Sequence, residues 1–389
     1  MDVPFSTRFQ NIVSITKTLA AQGQDAAEAR TEATSVEQQF LNIAGDAEEY
    51  QTLCDDYVDT YQVIASSTPL DTKPEETLPE EVFNTHGPVF GKYQWATFHA
   101  DGQTSTVYKA KPTDSSAAET VVALKVMNPD RMQPPHNAHR ELRLLTKAKH
   151  DCIVPLIDSF WQPGGTLFLV FPFLRQDLEN LLRSDTLTKS QSRMVFEGLF
   201  KALAHLHSID VIHRDVKPSN LLLKTMDGPV YLVDFGISWA KDDRDSEPAD
   251  RKITDVGTTC YRPPELLFGH RSYDTSLDMW AAGCVVAEMV RKEHHQLFDA
   301  GPLGSELGLV KSMFHTLGTP TDKVWPSASK YPDWGKVKFQ NFPARPWKEI
   351  LPGASQSAID FVQHTVCYES TNRLTAAEAL THPFTTELG

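Results

Sequence analysis

The sequence predicts an α+β protein with two lobes, a small strand-rich lobe followed by a larger helical one, and a helical extension in front of both. Three changes of pattern along the 389 residues predict this order. Apolar residues first recur at helical spacing, short β-branched and aromatic runs follow a proline-rich segment, and helical periodicity then dominates. We expect the extension at 1–65, a linker at 66–87, the small lobe at 88–174 and the large lobe at 175–386.

The extension is expected to form a helical hairpin or a coiled coil. Apolar residues from Val36 to Ile64 alternate steps of four and three, which is the spacing of a heptad seam. Phe5 and Phe9 begin a similar pattern in another phase. Two interpretations remain open: the seam at residues 36–64 binds a coiled-coil partner, or it packs on the rest of the protein.

Residues 66–87 are expected to be an acidic, disordered linker. The run SSTPLDTKPEETLPE holds three prolines and almost no large apolar groups. Such a segment cannot bury enough apolar surface to offset the entropy of ordering it. The boundary with the next domain is therefore expected near residue 88.

Short strands characterise the small lobe. The pattern alternates around a turn at 95–111, and a β-branched run follows at 120–128. A helix is predicted at 137–149, with apolar residues on one face, and strands again at 152–161 and 166–174.

The net charge of −14 bears on the kind of partner. Non-specific nucleic-acid binding needs clustered Lys and Arg that displace counterions, so we expect no nucleic-acid partner. A basic protein substrate suits an acidic surface better.

Cysteine spacing and the amino terminus bear on location. Five cysteines lie far apart without a CxxC pair, which predicts neither a zinc site nor a disulfide framework and favours a reducing compartment. The first residues lack a charged-then-apolar signal, and no apolar run is long enough to span a membrane. We therefore expect a nuclear or cytoplasmic location, or both, and no membrane partner.

One segment concentrates charged and polar groups between apolar runs: DVIHRDVKPSNLLLK, at residues 210–224. Two interpretations fit this pattern: a surface loop that happens to be polar, or a rigid scaffold that holds polar groups out for chemistry. VALK precedes the segment, and DFG, PPE and DMWAAG follow it. In this order the motifs resemble those of eukaryotic protein kinases, and the resemblance implies the bilobal protein kinase fold.

The resemblance implies transfer of the γ-phosphoryl group of ATP to serine or threonine of a protein substrate. Lys125 would hold the α- and β-phosphates, and Glu141 would fix that lysine through an ion pair. Asp215 would accept the proton of the substrate hydroxyl, and Lys217 would neutralise charge on the γ-phosphate. A lysine at this last place implies serine or threonine rather than tyrosine as the acceptor.

ATP and Mg²⁺ are the cofactors that the resemblance implies. Asn220 and Asp234 would supply the hard oxygen ligands that Mg²⁺ prefers. The residues implied in nucleotide binding belong to the glycine-rich loop, the strands beside it and the hinge between the lobes, with Phe171 as gatekeeper. They are Ala100, Gly102, Val107, Ala123, Lys125, Phe171, Phe173, Leu174 and Asp177.

A narrower similarity points to the cyclin-dependent branch of the family. LFLVFPFLRQDLENLL, CYRPPELLFG and LDMWAAGCVVAEM resemble that branch, and the similarity extends over residues 92–386. The residues that it implies in structural roles are Glu265 and Arg373 as a buried ion pair, Asp278 as a brace of the catalytic loop, and Thr258 as a contact of that loop.

The glycine-rich loop departs from the family pattern. Ala100, Gly102 and Ser105 stand where three glycines are usual. Glycine lets the backbone approach phosphate closely and adopt permissive angles. The departure leaves open a pseudokinase scaffold that acts through the amino-terminal helices, although every charged catalytic residue is retained.

The helix that docks a cyclin in related kinases reads PHNAHRE here. His139 stands in place of a large apolar contact, and loss of such an anchor at an interface costs about 2 kcal/mol or more. Cyclin dependence is therefore doubtful, and a kinase bound to an unusual cyclin remains an alternative.

The activation segment departs as well. Ile253 occupies the usual phosphothreonine place, and Trp239 replaces one of the three arginines that bind the phosphate, while Arg140 and Arg214 remain. This combination, with ITDVGTTCYRPPELLFG, is most similar to fungal monomeric CDK-activating kinases, so the protein substrate could itself be a cyclin-dependent kinase. We expect one or more of the acids in or beside this segment to replace the phosphate, and Asp255 is the nearest to the motif; the others are Asp242, Asp243, Asp245, Glu247 and Asp250. The alternative that these acids only form a solvated surface run remains open.

Overall fold

The computed structural model describes residues 5–20, 26–43, 46–47, 50–55, 57–58, 87–114, 121–301 and 304–388. The chain divides after Glu80 into two units, and each is described by itself. Residues 66–86 of the predicted linker lie outside the described part of the chain, as do Tyr61 and Ile64 of the predicted seam.

The amino-terminal unit contains a hairpin of two helices, α1 (Phe5–Ala20) and α2 (Ala26–Ile43). Ile15 and Leu19 of α1 are buried against small alanine side chains of α2. Small residues at a helix contact let the two axes approach closely. The hairpin predicted from the apolar spacing is therefore present.

A buried carboxylate joins the helices of this unit. Glu37 accepts a 2.8 Å hydrogen bond from the Tyr50 hydroxyl and pairs with Arg8 at 2.7 Å. Tyr50 and Cys54, on a further helical segment, are buried with Phe40 packed against them. Three members of the predicted heptad seam thus pack inside their own unit.

The small lobe is an antiparallel sheet with the strand order β1-β2-β3-β5-β4. Its strands are β1 (Tyr93–Asp101), β2 (Ser105–Pro112), β3 (Val122–Met127), β4 (Asp158–Gln162) and β5 (Thr166–Pro172). Helix α3 (Ala138–Lys147) begins after Asn137, whose side chain accepts the backbone N–H of Arg140. The middle strand of the sheet, β3, carries Lys125.

The large lobe is mainly helical. Its helices are α4 (Leu178–Arg183), α5 (Lys189–Ser208), α6 (Pro264–Leu267), α7 (Ser276–Val290), α8 (Glu306–Leu317), α9 (Trp347–Ile350), α10 (Gln356–Thr365), α11 (Ala376–Ala379) and α12 (Pro383–Leu388). Helix α7 is buried on all sides, as expected of a helix that is apolar all round. Together, the strand-rich and helical lobes confirm the predicted α+β class.

Short strand pairs carry the loops that connect these helices. The strands are β6 (Gln176–Asp177), β7 (Val211–Ile212), β8 (Leu221–Leu223), β9 (Val230–Leu232) and β10 (Trp239–Ala240). They pair in the order β6-β8-β9 and as β7 with β10. The polar segment singled out in the sequence therefore runs from β7 to β8, and the DFG motif follows β9.

The five cysteines are free thiols. Among the described helices, none is both long enough and apolar enough to cross a bilayer.

Candidate active site

A cavity of about 620 Å³ is lined by residues of both lobes. All nine residues predicted to bind the nucleotide line it, from Ala100 and Gly102 at the β1–β2 turn to Asp177 beside β6. The sequence analysis missed apolar residues that line it too: Leu145, Val154, Leu222 and Val233. Leu222 belongs to the apolar run at the end of the polar segment, and the sequence pattern gave no sign that it contacts the cavity.

Lys125 is at the centre of an ion triad. Its Nζ lies 2.7 Å from Glu141 Oε1 and 2.8 Å from Asp234 Oδ1. Burial disfavours the ammonium, but the charges of Asp234 and Glu141 outweigh it and raise the pKa of Lys125. The charge of Lys125 in turn holds the pKa of Asp234 well below its usual range. The lysine is therefore cationic, and Asp234 is an anion, throughout the neutral pH range.

Asn220 and Asp234 present oxygen atoms of the kind that Mg²⁺ binds. The hydrogen bonds of Asn220 to Asp215 use Nδ2, at 2.7 Å to the backbone oxygen and 3.0 Å to Oδ2, so that Oδ1 remains available as a metal ligand. Lys125 and the N–H of Gly236 both contact Oδ1 of Asp234. An amide oxygen and a carboxylate oxygen beside one cavity fit a hard divalent cation.

The carboxylate of Asp215 is oriented by contacts on both oxygens. Oδ1 accepts hydrogen bonds from the backbone N–H and the hydroxyl of Thr258, at 3.0 and 2.8 Å. Oδ2 lies 3.0 Å from Lys217 Nζ and accepts from Asn220. Lys217 also donates to the Thr258 hydroxyl at 2.9 Å. The structure thus brings the predicted base and the predicted γ-phosphate lysine together.

One buried acid, Asp278, holds the loop that carries Asp215, and another, Glu265, forms a buried ion pair in the large lobe. Asp278 accepts the backbone N–H groups of His213 and Arg214, both at 2.8 Å. These bonds restrain Arg214, whose φ of +72° is unusual for a residue with a side chain. Glu265 pairs with Arg373 at 2.6 Å, with both side chains buried. Such a pair is costly to break because the remaining charge would stay buried.

The β1–β2 turn closes without glycine-specific backbone angles. The N–H of Gly102 donates to the Ser105 carbonyl at 2.8 Å. Ala100, Gly102 and Ser105 all lie outside the left-handed region. The Thr104 hydroxyl lies 3.4 Å from Nδ1 of His136, a residue in front of helix α3. The two missing glycines therefore impose no backbone strain on this turn.

The expectation that Asp255 replaces a phosphate is wrong. Asp255 pairs with Arg262 at 2.8 Å and is exposed. Glu247 instead contacts Arg214, at 3.1 and 3.3 Å between its two carboxylate oxygens and the two terminal guanidinium nitrogens. The path of the segment after Trp239 folds Glu247 back to Arg214, and sequence proximity to the motif did not reveal this.

Comparisons with known proteins show similarity to protein kinases. A family model described as a protein kinase domain matches residues 100–385. The serine/threonine-protein kinase csk1 of Schizosaccharomyces pombe is 34% identical over 274 residues, which cover 69% of this chain and 87% of that protein. Cyclin-dependent kinase 20 of Danio rerio is 35% identical over 291 residues, which cover 73% of this chain and 80% of that protein.

Proposed function

The chain belongs to the protein kinase family, among the serine/threonine kinases of the cyclin-dependent branch, and from this premise we propose that it is a CDK-activating kinase that works without a cyclin. The observation that supports catalysis is the triad in which Lys125 contacts both Glu141 and Asp234 at 2.7 and 2.8 Å. An inactive scaffold needs no such cluster of charges at the end of an open cavity. The pseudokinase alternative is therefore the weaker one.

The proposed chemistry follows from the placement of Asp215. Its carboxylate takes the proton of a serine or threonine hydroxyl while that oxygen forms a bond to the γ-phosphorus and the bond from phosphorus to the bridging oxygen breaks. Lys217, 3.0 Å from the same carboxylate, neutralises charge that develops on the transferred group. Contacts from Thr258 and Asn220 keep Asp215 in place during the step.

Asn220 and Asp234 are the residues that would hold Mg²⁺. The bound ion supplies positive charge to the phosphate oxygens. Lys125 would bind the phosphates through its ammonium, and Glu141 holds that ammonium in place. The nine cavity residues named above would hold ATP itself.

Independence from a cyclin is supported by the contacts of helix α3. Glu141 in its first turn is bound to Lys125, and Arg143 is bound to Asp243 at 2.7 Å. His139 stacks on Trp161 at 5.4 Å between ring centroids, so the side chain in place of the usual apolar anchor already has a partner within the chain. The helix is thus restrained without a second protein.

A cyclin-dependent kinase as the substrate is supported by similarity of the activation segment. ITDVGTTCYRPPELLFG resembles the corresponding stretch of fungal monomeric CDK-activating kinases. The net charge of −14 further favours a basic protein segment as the acceptor.

The test uses the purified protein alone with radiolabelled ATP and Mg²⁺. We expect phosphate transfer to an inactive cyclin-dependent kinase at a rate well above that to a generic basic protein, with Asp215→Ala as the inactive control. Equal rates on both substrates would contradict the CDK-activating role while leaving the kinase activity in place. A requirement for a co-purifying cyclin would favour the cyclin-bound alternative, and incorporation no higher than that of Asp215→Ala would favour the scaffold.

A further inference from the structure

We infer that Glu247 and Asp243 are positioning residues that hold the catalytic loop and helix α3 in their catalytic arrangement, so that the kinase is active with no phosphate on its activation segment. This rests on the kinase activity stated above, but it does not depend on which protein is the substrate. Asp255, which the sequence favoured, pairs with Arg262 instead, whereas Glu247 contacts Arg214 and Asp243 contacts Arg143 of helix α3.

Glu247 acts on the catalytic loop through Arg214. The Arg214 side chain is fully buried, the Glu247 side chain is 15% exposed, and the two groups meet at 3.1 Å. A buried guanidinium needs a counter-charge, because an uncompensated charge in the interior is very unfavourable. Arg214 immediately precedes Asp215, and its backbone is held by Asp278. Glu247 therefore fixes the residue next to the catalytic base.

The same carboxylate offsets the charge of Arg140 on helix α3. Arg140 is 2% exposed, and it donates to the backbone oxygen of Asp245 at 3.1 Å. Burial lowers the pKa of Arg140, and among its neighbours Glu247 opposes that effect most strongly. The Glu247 carboxylate thus contacts Arg214, and the backbone of the activation segment contacts Arg140; these are the two cations that bind a phosphate in related kinases.

Asp243 forms a second connection, to Arg143. The guanidinium of Arg143 donates to both oxygens of Asp243, at 2.7 and 2.8 Å, in the bidentate geometry that gives strong pairs. Arg143 also lies 2.5 Å from Asp245. Because Glu141 lies on the same helix two residues earlier, this pair keeps the ion partner of Lys125 in position.

Trp239, which stands in place of the third arginine, contacts the backbone of Glu247. Its indole N–H donates to the backbone oxygen of Glu247 at 2.8 Å. The ammonium of Lys252 lies 4.4 Å from the centre of the Trp239 ring and donates to the backbone oxygens of Ala249 and Tyr273. Trp239 thus sets the position of Glu247, where an arginine would have bound a phosphate.

The first experiment compares charge-neutralising variants in phosphatase-treated protein, with loss of phosphate confirmed by mass spectrometry. On a generic basic protein and without a cyclin, we expect the wild type to keep its activity. Glu247→Gln should lower kcat roughly tenfold or more and change the KM for ATP much less, since the nucleotide contacts remain. Glu247→Asp should recover part of the loss. Asp250→Asn is the matched control, because Asp250 is an exposed acid of the same segment, 3.9 Å from exposed Arg251, and should match the wild type.

A double-mutant cycle tests the second connection. Asp243→Asn and Arg143→Gln should each lower kcat, and the double variant should lose little more than the worse single variant, since both act through one pair. Losses that simply add would show that the two side chains act independently and would overturn this part of the inference.

Hydrogen–deuterium exchange provides a readout that does not require activity. Residues 241–258 should be protected in phosphate-free wild type and exposed in Glu247→Gln, with helix α7 equally protected in both as evidence of an intact lobe. Activity that vanishes with the phosphate, or a Glu247→Gln variant that equals Asp250→Asn in rate and exchange, would overturn the inference. Failure on the cyclin-dependent kinase substrate alone would count against the proposed substrate and not against this arrangement.

Discussion

Thr258 donates to Asp215 twice, through its backbone N–H at 3.0 Å and its hydroxyl at 2.8 Å, although the two residues are 43 positions apart in the chain. The activation segment and the catalytic loop are therefore joined at the proposed base. Any change in the path of that segment is transmitted to the Asp215 carboxylate. Single substitutions can separate the roles of the groups around Asp215.

Asp215→Asn should remove most of the turnover and leave ATP binding almost unchanged. The residue acts on the acceptor hydroxyl, and general-base assistance is worth about 10²- to 10⁴-fold. Single-turnover assays and nucleotide titration by calorimetry measure the two effects separately. A loss of kcat below about tenfold would be incompatible with the role of base.

Asp234→Asn should raise the Mg²⁺ concentration needed for half-maximal activity. The carboxylate is an anion because Lys125 lowers its pKa, and an amide lacks the charge that attracts a hard cation. Activity measured across a Mg²⁺ titration checks this, with Asp227→Asn as a control on an exposed surface turn. An unchanged Mg²⁺ dependence would remove Asp234 from the proposed metal site.

Restoring glycine to the β1–β2 turn should have little effect. Ala100→Gly and Ser105→Gly should change the KM for ATP less than about threefold, since neither residue is in the left-handed region. Gly257→Ala provides the contrast. Gly257 has φ +77°, and a Cβ there would lie 2.6 Å from the Arg214 carbonyl oxygen. Strain of about 1–3 kcal/mol beside the catalytic loop should lower kcat clearly. Steady-state kinetics of the three variants decide between these expectations.

Glu288 should make the large lobe less stable as the pH rises. The residue is 4% exposed, and burial raises its pKa to about 8. An unfolded glutamate titrates near pH 4.3. Between about pH 4.3 and 8 the folded state therefore keeps a proton that the unfolded state has lost, and the free energy of unfolding falls as the pH rises. Glu288→Gln should therefore equal the wild type near pH 5 and exceed its stability at pH 8 by up to about 4 kcal/mol.

Thermal unfolding at a series of pH values measures this difference for Glu288→Gln and for Glu293→Gln. Glu293 is an exposed acid close to the same helix, and its variant provides the control curve. A Glu288→Gln curve that runs parallel to the wild-type curve would contradict the raised pKa.

Arg8→Ala should destabilise the amino-terminal unit. Glu37 is buried, and the hydrogen bonds from Arg8 lower its pKa. Because the variant leaves this buried carboxylate without its cation, we expect a loss of stability of about 3 kcal/mol or more. Faster hydrogen exchange in α1 and α2 reports the effect, and Arg30→Ala, at an exposed position, is the control. Equal exchange in both variants would contradict it.

Tyr50 and Cys54 of the heptad seam are buried within their own unit, with Phe40 packed against them, so we expect the full chain to sediment as a monomer. A chain that begins at Pro88 should do the same and serves as the reference. A dimeric full chain beside a monomeric truncated one would instead support a coiled-coil partner at residues 36–64.

Patterns along the chain were enough to predict a strand-rich lobe, a helical lobe and the charged groups at the site. Asp215, Lys217 and Asn220 are found from sequence because they lie within one short loop between β7 and β8. Asp234 lies two positions after the end of β9, which pairs with β8. Groups carried on adjacent, short connections are close together in almost any path that the rest of the chain takes, and local pattern was therefore sufficient.

Which acid pairs with which arginine depends on the tertiary structure. Glu247 and Arg214 are 33 positions apart, and Asp243 and Arg143 are 100 apart. An ion pair over such separations depends on the path of the whole activation segment, which is fixed by contacts such as those of Trp239 and Lys252 rather than by spacing. Proximity in sequence favoured Asp255, but that side chain is exposed and bound to Arg262. Burial makes Arg214 require a counter-charge, and burial is a property of the folded chain.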